Sequence, residues 1–193
     1  PMETPWIDNV TGFVQSWYNG IELGNSLADI LFGAVNPSGK LSLTIPKKFE
    51  DNPAYLNFTS DFGDSVYGED IFVGYKYYEK LNKEVSFPYG YGLSYTTFEF
   101  SSLKVESDWE ANQLNIALLV ENTGSLDGSE VIQVYISAVT GSSIRRPIKE
   151  LKDFTKEFIR KGESKKITLT TDLKTALSIW DNHKAKWFIE KGN

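Results

Sequence analysis

The spacing of apolar residues changes along this 193-residue chain. Across residues 22–32 apolar side chains recur every three or four positions, which predicts a helix with one apolar face. Residues 12–18 and 40–45 read as short strands on either side of it. A strand, a helix and a strand with short connections are typical of a parallel sheet covered by helices. We therefore predict that residues 1–58 are the C-terminal piece of an α/β sandwich.

Residues 59–98 follow a different pattern. Aromatic side chains crowd this stretch, and glycines and a proline interrupt it too often for a long helix or strand. Flexible linkers lack such anchors, so we predict an ordered interdomain strap. In an extended strap Tyr75 and Tyr77 would face one side, and Lys76 and Tyr78 the other.

After the strap, turn signals arrive at the intervals of an all-β sandwich. Runs typical of strands occupy residues 98–105, 113–121, 130–138 and 166–171. The clearest turns are residues 121–124 and 160–163. The pattern predicts a separate β-sandwich over residues 99–193.

Two motifs in the strap carry a family resemblance. Residues 67–79 read Tyr-Gly-Glu-Asp-Ile-Phe-Val-Gly-Tyr-Lys-Tyr-Tyr-Glu, and residues 87–98 read Phe-Pro-Tyr-Gly-Tyr-Gly-Leu-Ser-Tyr-Thr-Thr-Phe. Together they resemble the C-terminal region of glycoside hydrolase family 3, in particular the β-glucosidases of fungi and yeasts. Residues 17–25 and 35–41 are similar to motifs that close the family's α/β domain, although Asn19 stands where the family usually has Pro or Gly.

The resemblance also covers the second half of the chain. Residues 147–154 and 162–167 are similar to the fibronectin type III-like domain that ends many members of the family. By that resemblance residues 186–190 are the next-to-last strand. We therefore expect either a truncated chain or a fibronectin type III-like sandwich lacking its last strand, with open ladder groups at one edge.

The resemblance implies a function for the whole enzyme. It would hydrolyse terminal β-D-glucosyl residues by a retaining mechanism with two carboxyl groups. In the family the nucleophilic Asp lies in a barrel domain, and the acid/base Glu lies upstream of this chain. We therefore assign no catalytic, cofactor-binding or metal-binding residue here. The implied partners are the upstream barrel and α/β domains and, through the whole enzyme, a β-glucoside substrate.

A free-standing module that binds polysaccharide or protein is the alternative. The two hypotheses differ in whether the first 58 residues bury their own apolar side chains. A fragment would expose an apolar patch, and a module would cover it. The side chains in question are Trp6, Phe13, Trp17, Leu27 and Leu31.

Composition narrows the classes of function. The net charge of -6 and the lack of a long basic run argue against a nucleic-acid partner. No stretch has the roughly 20 apolar residues of a membrane span. The chain has no cysteine, which excludes disulfides and leans toward an intracellular location. Its start carries no signal peptide pattern and resembles an internal cut, so the location itself stays unassigned. Glycosylation sequons at Asn9 and Asn57 oppose that lean.

Several polar residues have both a functional and a structural interpretation. Glu69 and Asp70 are adjacent, so on an extended segment they would point to opposite faces and could not act as a catalytic pair. Glu22 lies in the first turn of the predicted helix, where a negative charge is stabilising. His183 is the only histidine and lies in a polar turn, which favours a surface position.

Aromatic and basic residues are the remaining candidates. Tryptophans in the β-domain and tyrosines in the strap could stack on sugar rings, although packing anchors are the favoured interpretation for the strap. The basic pair Arg145 and Arg146 could hold a carboxylate of a neighbouring domain, but an exposed loop is favoured. The aromatic candidates are Trp109, Trp180, Trp187, Tyr75, Tyr77 and Tyr78.

Overall fold

The computed structural model describes residues 3–138, 142 and 144–190, and the described chain is mostly strands with few helices. The first half contains α1 (Leu23–Leu31), β1 (Ile45–Pro46), β2 (Ser60–Asp61), β3 (Asp64–Ser65), α2 (Tyr75–Lys80) and β4 (Val85–Phe87). The second half contains β5 (Phe98–Asp108), β6 (Gln113–Asn122), β7 (Gly128–Ile136), β8 (Glu150–Ile159), β9 (Ser164–Asp172), α3 (Leu173–Leu177), β10 (Ile179–Asp181) and β11 (Lys186–Phe188).

The helix predicted for residues 22–32 is confirmed as α1, but the strands predicted beside it are not. Residues 12–18 form no strand, and of residues 40–45 only the last joins β1. β1 pairs with β4 in antiparallel fashion, so no parallel unit forms within the described residues. A strand needs a neighbour to complete its ladder. Sequence alternation alone could not supply that neighbour.

Two sheets form the second half and enclose the main core. β5, β6 and β9 make an antiparallel sheet in that order, and β7 pairs with β8 in another. Along β6 alternate side chains are buried, as the alternation of the sequence predicts. The core cluster draws on β6, β9, α3, Ile132 of β7 and Ile159 of β8. The strands predicted from residues 98, 113, 130 and 166 onward are all confirmed.

Asn122 closes one end of this core. Its side chain is fully buried, and its Nδ2 donates to the carbonyl oxygens of Leu126 and Ile159, each at 2.9 Å. Its Oδ1 accepts from the Thr96 hydroxyl at 2.7 Å and from the Gly124 amide at 3.2 Å. One amide therefore joins the start of β5, the turn after β6 and the end of β8. The turns predicted at residues 121–124 and 160–163 are confirmed around it.

The hairpin of β10 and β11 lies outside both larger sheets. Trp180 pairs with Trp187 across it, and within the described residues neither strand joins another sheet. Residues 186–190 are therefore not placed in the sandwich here, contrary to the expectation that they form its next-to-last strand. That a last strand is lacking stays a prediction.

The middle of residues 59–98 is helical, which corrects the expected extended geometry. Helix α2 begins after Gly74, whose φ of 55° is unfavourable for other residues. The predicted alternation of Tyr75 and Tyr77 against Lys76 and Tyr78 is therefore wrong. Helical spacing, rather than strand spacing, decides which side each aromatic ring faces.

Candidate functional site

Helix α2 packs against the sandwich through Tyr75. The Tyr75 hydroxyl accepts a hydrogen bond from the Leu151 amide at 2.8 Å. Its ring centroid lies 4.9 Å from that of Tyr89 and 5.9 Å from that of Tyr135. Burial raises the pKa of Tyr75 and raises the pKa of Tyr135 to about 12. These contacts attach α2 to the β7–β8 pair.

Ion pairs reinforce this attachment. Lys76 Nζ lies 3.3 Å from Glu150 Oε1, and Lys149 Nζ lies 2.9 Å from Glu79 Oε1. Lys149 Nζ also lies 4.8 Å from the centroid of the Tyr135 ring. All four side chains of these pairs are between a fifth and two fifths exposed. Each pair therefore contributes at most about 1 kcal/mol to stability. They orient α2 more than they stabilise it.

The opposite side of α2 contacts the first half of the chain. The Tyr78 side chain is buried, and burial, assisted by the negative charge of Asp51, raises its pKa to about 12. Lys83 donates its amide to the Tyr78 carbonyl at 2.8 Å and places its Nζ 2.8 Å from Asp51 Oδ1. The hydrogen bond from Lys83 holds the pKa of Asp51 below its ordinary value. Helix α2 and the residues after it therefore contact the sandwich on one side and the first half of the chain on the other.

The Arg145–Arg146 pair is not simply an exposed loop. The Arg145 guanidinium lies 4.4 Å from the centroid of the buried Phe72 ring, a cation–π contact. The Arg146 carbonyl accepts from Lys80 Nζ at 3.2 Å, and Arg146 itself is half-buried. The exposed loop is therefore confirmed for Arg145 and corrected for Arg146, which is half-buried, and both residues contact the segment around α2.

A second attachment uses Asn36. Its Oδ1 accepts from the Ser94 hydroxyl at 2.9 Å and from the Tyr95 amide at 2.8 Å. Its Nδ2 donates to the Asp127 carbonyl at 3.0 Å. Asn36 thus joins residues 35–41 to the end of the aromatic segment and to the turn before β7. We call residues 36–41 together with residues 90–96 the clasp.

Lys40 completes the clasp. Its Nζ lies 2.8 Å from Glu130 Oε1 and donates to the Gly92 carbonyl at 2.8 Å. The Lys40 and Glu130 side chains are only 16% and 11% exposed, so this ion pair is largely shielded from water. A Cβ at Gly92 would lie 2.2 Å from the Gly39 carbonyl oxygen, so only glycine allows this approach. In the sequence the first part of the clasp is visible as Asn-Pro-Ser-Gly-Lys, which predicts a turn but not the ion pair with Glu130.

A small open cavity of about 130 Å³ lies beside α2. Its walls include Tyr75, Tyr78 and Pro88, and among its lining residues only Glu79 is acidic. Thr44 Oγ1 and Glu79 Oε2 are buried there without a hydrogen-bond partner in the described part of the chain. The volume suits about four waters. With one carboxylate it does not provide the two that glycoside hydrolysis usually requires.

The carboxylate candidates have structural roles. Glu22 does not cap α1 through the backbone, because its Oε2 instead accepts from the Asn25 side chain at 2.6 Å. Glu69 and Asp70 lie in a turn, not on an extended segment, and Glu69 Oε2 accepts from Asn57 Nδ2 at 3.2 Å. Glu22 and Glu69 are thus each bonded to an asparagine side chain. Exposed His183 lies in the turn between β10 and β11, where its amide donates to Asp181.

The aromatic candidates divide into two groups. Tyr75, Tyr77 and Tyr78 pack within the molecule, as the anchor interpretation predicts. Trp180 and Trp187 form an exposed edge-to-face pair with centroids 5.5 Å apart. Exposed Trp109 lies in the turn between β5 and β6.

Many large apolar side chains in the first half of the chain are exposed. No residue of α1 is buried, and Trp6, Trp17 and Leu31 are 41%, 44% and 57% exposed. Phe13 and Leu27 are half-buried. Further large side chains with more than four fifths of their surface exposed are Tyr18, Ile21, Phe32, Leu56, Phe58, Phe62 and Tyr67. We call this set, together with Trp6, Trp17 and the apolar residues of α1, the apolar surface.

Neither a membrane-spanning helix nor a metal-binding cluster occurs among the described residues. None of the helices in the described ranges is long and apolar enough to cross a membrane. Within the same ranges no group of three or more His, Asp or Glu side chains could hold a metal ion.

Two family models match the chain. The model for the glycosyl hydrolase family 3 C-terminal domain matches residues 1–95, and the model for the fibronectin type III-like domain matches residues 130–193. The chain is a C-terminal region of glycoside hydrolase family 3. Residues 1–95 contain the apolar surface and α2, and residues 130–193 contain β8, β9 and most of β7.

Relatives and solved structures agree with this membership. The family 3 chain is 53% identical over 192 residues to a putative β-glucosidase of Schizosaccharomyces pombe, covering 100% of the chain and 23% of the relative. It is 52% identical over 195 residues to a β-glucosidase of Kluyveromyces marxianus, covering 100% of the chain and 22% of that protein. The chain therefore spans less than a quarter of the length of these curated relatives.

Its fold is also that of solved enzymes. A crystal structure of the Kluyveromyces marxianus β-glucosidase in complex with glucose matches all of the chain and 23% of that enzyme, with a TM-score of 0.94 at 49% identity. The family 3 β-glucosidase of Bifidobacterium adolescentis matches 96% of the chain and 27% of that enzyme, with a TM-score of 0.90 at 40% identity. The chain is thus similar to the C-terminal part of family 3 β-glucosidases.

Proposed function

We propose that the whole protein containing this region is a β-glucosidase that hydrolyses terminal β-D-glucosyl residues, and that this region is a scaffold for its catalytic domains. The names of the relatives support the activity. The family resemblance implies that two carboxyl groups catalyse hydrolysis with retention of the anomeric configuration. Two of the candidate carboxylates, Glu22 and Glu69, have structural partners, which favours a supporting role for the region.

The apolar surface is the observation that carries the scaffold proposal. Ile21 and Phe32 stand 101% and 89% exposed on either side of α1. At roughly 25 cal/mol per Å², covering such side chains contributes about 2 kcal/mol each. A free-standing module would leave this surface in water. An upstream α/β domain that covers it gives each exposed ring and aliphatic chain a partner.

The aromatic segment, residues 59–98, acts in this proposal as a strap between the two architectures. Tyr75 reaches the β7–β8 pair, and Tyr78 with Lys83 reaches the 3₁₀ turn Phe49–Asp51. The same proposal includes a fibronectin type III-like sandwich that lacks its last strand. The two-stranded β7–β8 sheet opposite a three-stranded sheet supports this reading.

Hydrolysis of an aryl β-glucoside tests the proposal. This chain as purified is compared with the same chain extended upstream through the barrel and the rest of the α/β domain. We expect activity only in the extended protein. Activity in the 193 residues alone would overturn the scaffold role and direct attention to Glu22, Glu69 and Asp70.

A charge placed on the apolar surface tests the docking directly. In the extended protein Ile21→Glu should lower the melting temperature and activity together, because a carboxylate is forced into an apolar interface. Leu103→Glu is the matched control, since Leu103 is 67% exposed on β5, within the sandwich. Equal effects of the two changes would contradict docking at α1.

A further inference from the structure

The cavity beside α2 contains two polar atoms that the fold itself does not satisfy. Thr44 is 5% exposed, and its Oγ1 has no hydrogen-bond partner in the described part of the chain. Lys149 holds Glu79 Oε1 at 2.9 Å, whereas Glu79 Oε2 is buried and is also without a partner among the described residues. Both residues line the cavity. Because an unpaired buried polar atom is unfavourable, the two atoms point to a ligand that bonds to both.

The end of α2 fixes the position of the Glu79 backbone beside the cavity. The Asn82 amide donates to the Glu79 carbonyl at 3.1 Å, and the Lys83 amide donates to the Tyr78 carbonyl at 2.8 Å. These two bonds form a Schellman motif after the C-cap Leu81. Asn82 has the φ of 48° that the motif requires, and Asn tolerates this left-handed conformation. The motif therefore places exposed Asn82 at the mouth of the cavity.

The charges around the cavity favour a neutral ligand. Lys149 balances the Glu79 carboxylate, and Lys83, which lines the cavity, pairs with Asp51 at 2.8 Å. A cationic ligand would meet two lysines, and an anionic ligand would meet the Glu79 carboxylate. Glu79 Oε2 can only accept a hydrogen bond, whereas the Thr44 hydroxyl can donate or accept one. Hydroxyl groups on a neutral ligand satisfy both atoms.

The walls and the volume of the cavity favour a small ligand with a carbon chain. Tyr75, Tyr78, Val85 and Pro88 provide apolar surface beside the two polar atoms. An apolar cavity of roughly 150 Å³ admits benzene, which has about six heavy atoms. At about 130 Å³ this cavity suits a molecule of the same size, such as glycerol. A pyranose sugar has about twice as many heavy atoms and is too large to enter whole.

We propose that this cavity is a binding site for one small neutral polyol of the size of glycerol. Two neighbouring hydroxyls of the polyol bond to Glu79 Oε2 and Thr44 Oγ1, and its carbon chain contacts the tyrosine rings. The polyol thereby joins Thr44, just before β1, to α2, so its binding stabilises the attachment of α2 to the first half of the chain. The site goes beyond the proposed enzymatic function and does not depend on it.

A nuclear magnetic resonance titration of the full chain with glycerol tests the proposal. Backbone amide shifts that saturate with one dissociation constant are expected at residue 44 and residues 78–85. Propan-1-ol keeps the three-carbon chain but has one hydroxyl, so it should bind at least roughly tenfold more weakly. Ammonium chloride tests the charge argument and should also bind more weakly than glycerol.

Three results of this titration would overturn the proposal. Shifts that rise with glycerol concentration without saturating would show that water alone fills the cavity. Equal binding of glycerol and propan-1-ol would show that Glu79 and Thr44 make no specific contact. Tighter binding of ammonium than of glycerol would contradict the assignment of a neutral ligand.

A pair of variants locates the site. Thr44→Val removes the hydroxyl but keeps the β-branched shape, and it should weaken glycerol binding roughly tenfold. Thr168→Val is the matched control, because Thr168 is exposed on β9 of the sandwich, and it should leave the affinity unchanged. Equal affinities of the two variants would refute the assignment to Thr44.

Urea unfolding separates a lost ligand contact from a damaged fold. Because the Thr44 hydroxyl has no partner within the described residues, Thr44→Val should be at least as stable as the unchanged protein when glycerol is absent. A clearly lower urea midpoint for this variant would show that the hydroxyl has an internal role, which would also overturn the proposal.

Discussion

Replacing Asn122 with alanine should destabilise the sandwich far more than its position at the end of β6 suggests. The side chain is fully buried and makes four hydrogen bonds to three separate parts of the chain. Asn122→Ala removes all four bonds at once. It also leaves a small cavity at the end of the core.

The size of the loss in unfolding free energy depends on which hydrogen-bond partners of Asn122 can reach water once its side chain is removed. The Thr96 hydroxyl and the Ile159 carbonyl belong to buried residues, and each costs roughly 1 kcal/mol or more when left unpaired. Gly124 is half-buried and Leu126 is exposed, so their groups can be rehydrated at a cost of about 0.5 kcal/mol each. The expected loss is therefore about 3 kcal/mol, a large fraction of the stability of an ordinary domain.

Urea unfolding, followed by circular dichroism of the strands, measures this loss. With a slope of about 1.5 kcal/mol per molar, the midpoint should fall by about 2 M. The matched control is Asn115→Ala, because Asn115 lies on the same strand and accepts one exposed hydrogen bond, from Thr170 at 2.8 Å. That change should cost about 0.5 kcal/mol.

Asn122→Asp separates hydrogen bonding from volume. The carboxylate keeps the size of the side chain but aims a negative oxygen at the Ile159 carbonyl, so it should cost at least as much as alanine at neutral pH. Because burial raises the pKa of such a carboxyl, the loss should shrink as pH falls and the group becomes protonated. A urea midpoint for Asn122→Ala that lies within about 0.3 M of the midpoint for Asn115→Ala would refute the reasoning.

Two further predictions concern the attachments of α2 and the clasp. Lys40→Met should lower the free energy of unfolding by about 2 kcal/mol, because it leaves a shielded Glu130 carboxylate unpaired. A double-mutant cycle with Glu130→Gln, measured by urea unfolding, should show coupling between the two residues. Additive effects of the two changes would contradict this. Tyr78 and Tyr135 should ionise near pH 12 in the folded chain and near pH 10 when unfolded, as phenolate absorbance would show. Because folding raises the pKa of both tyrosines, the stability of the folded chain should fall as pH rises from about 10 to about 12. Ionisation of both tyrosines near pH 10 in the native state would contradict the burial argument.

The strands of the sandwich were predictable because each supplies its own evidence. β6 buries every second side chain, and its sequence alternates accordingly. The turn at residues 121–124 was predictable from its small polar residues. That Asn122, the last residue of β6, would be fully buried was not predictable, since a surface turn and a buried capping amide use the same residue type.

The first half shows the opposite case. Residues 12–18 have strand-forming composition but no strand beside them, and α1 has an apolar face with no buried residue. Local propensity is a weak guide where tertiary partners decide the outcome. Helix α2 was missed for a related reason. Its aromatic residues favour strands, yet contacts on two sides hold them in a helix.

The number of attachments and their separation support the proposed scaffold role. The clasp reaches β7 at Glu130, whereas α2 reaches it at Tyr135. Five residues of strand separate these points by about 16 Å. One attachment would leave the sandwich free to rotate about it, but two that lie this far apart fix its orientation. The first half of the chain, with its apolar surface, is thereby held at a set angle to the sandwich, which is the property that a support for a catalytic cleft needs.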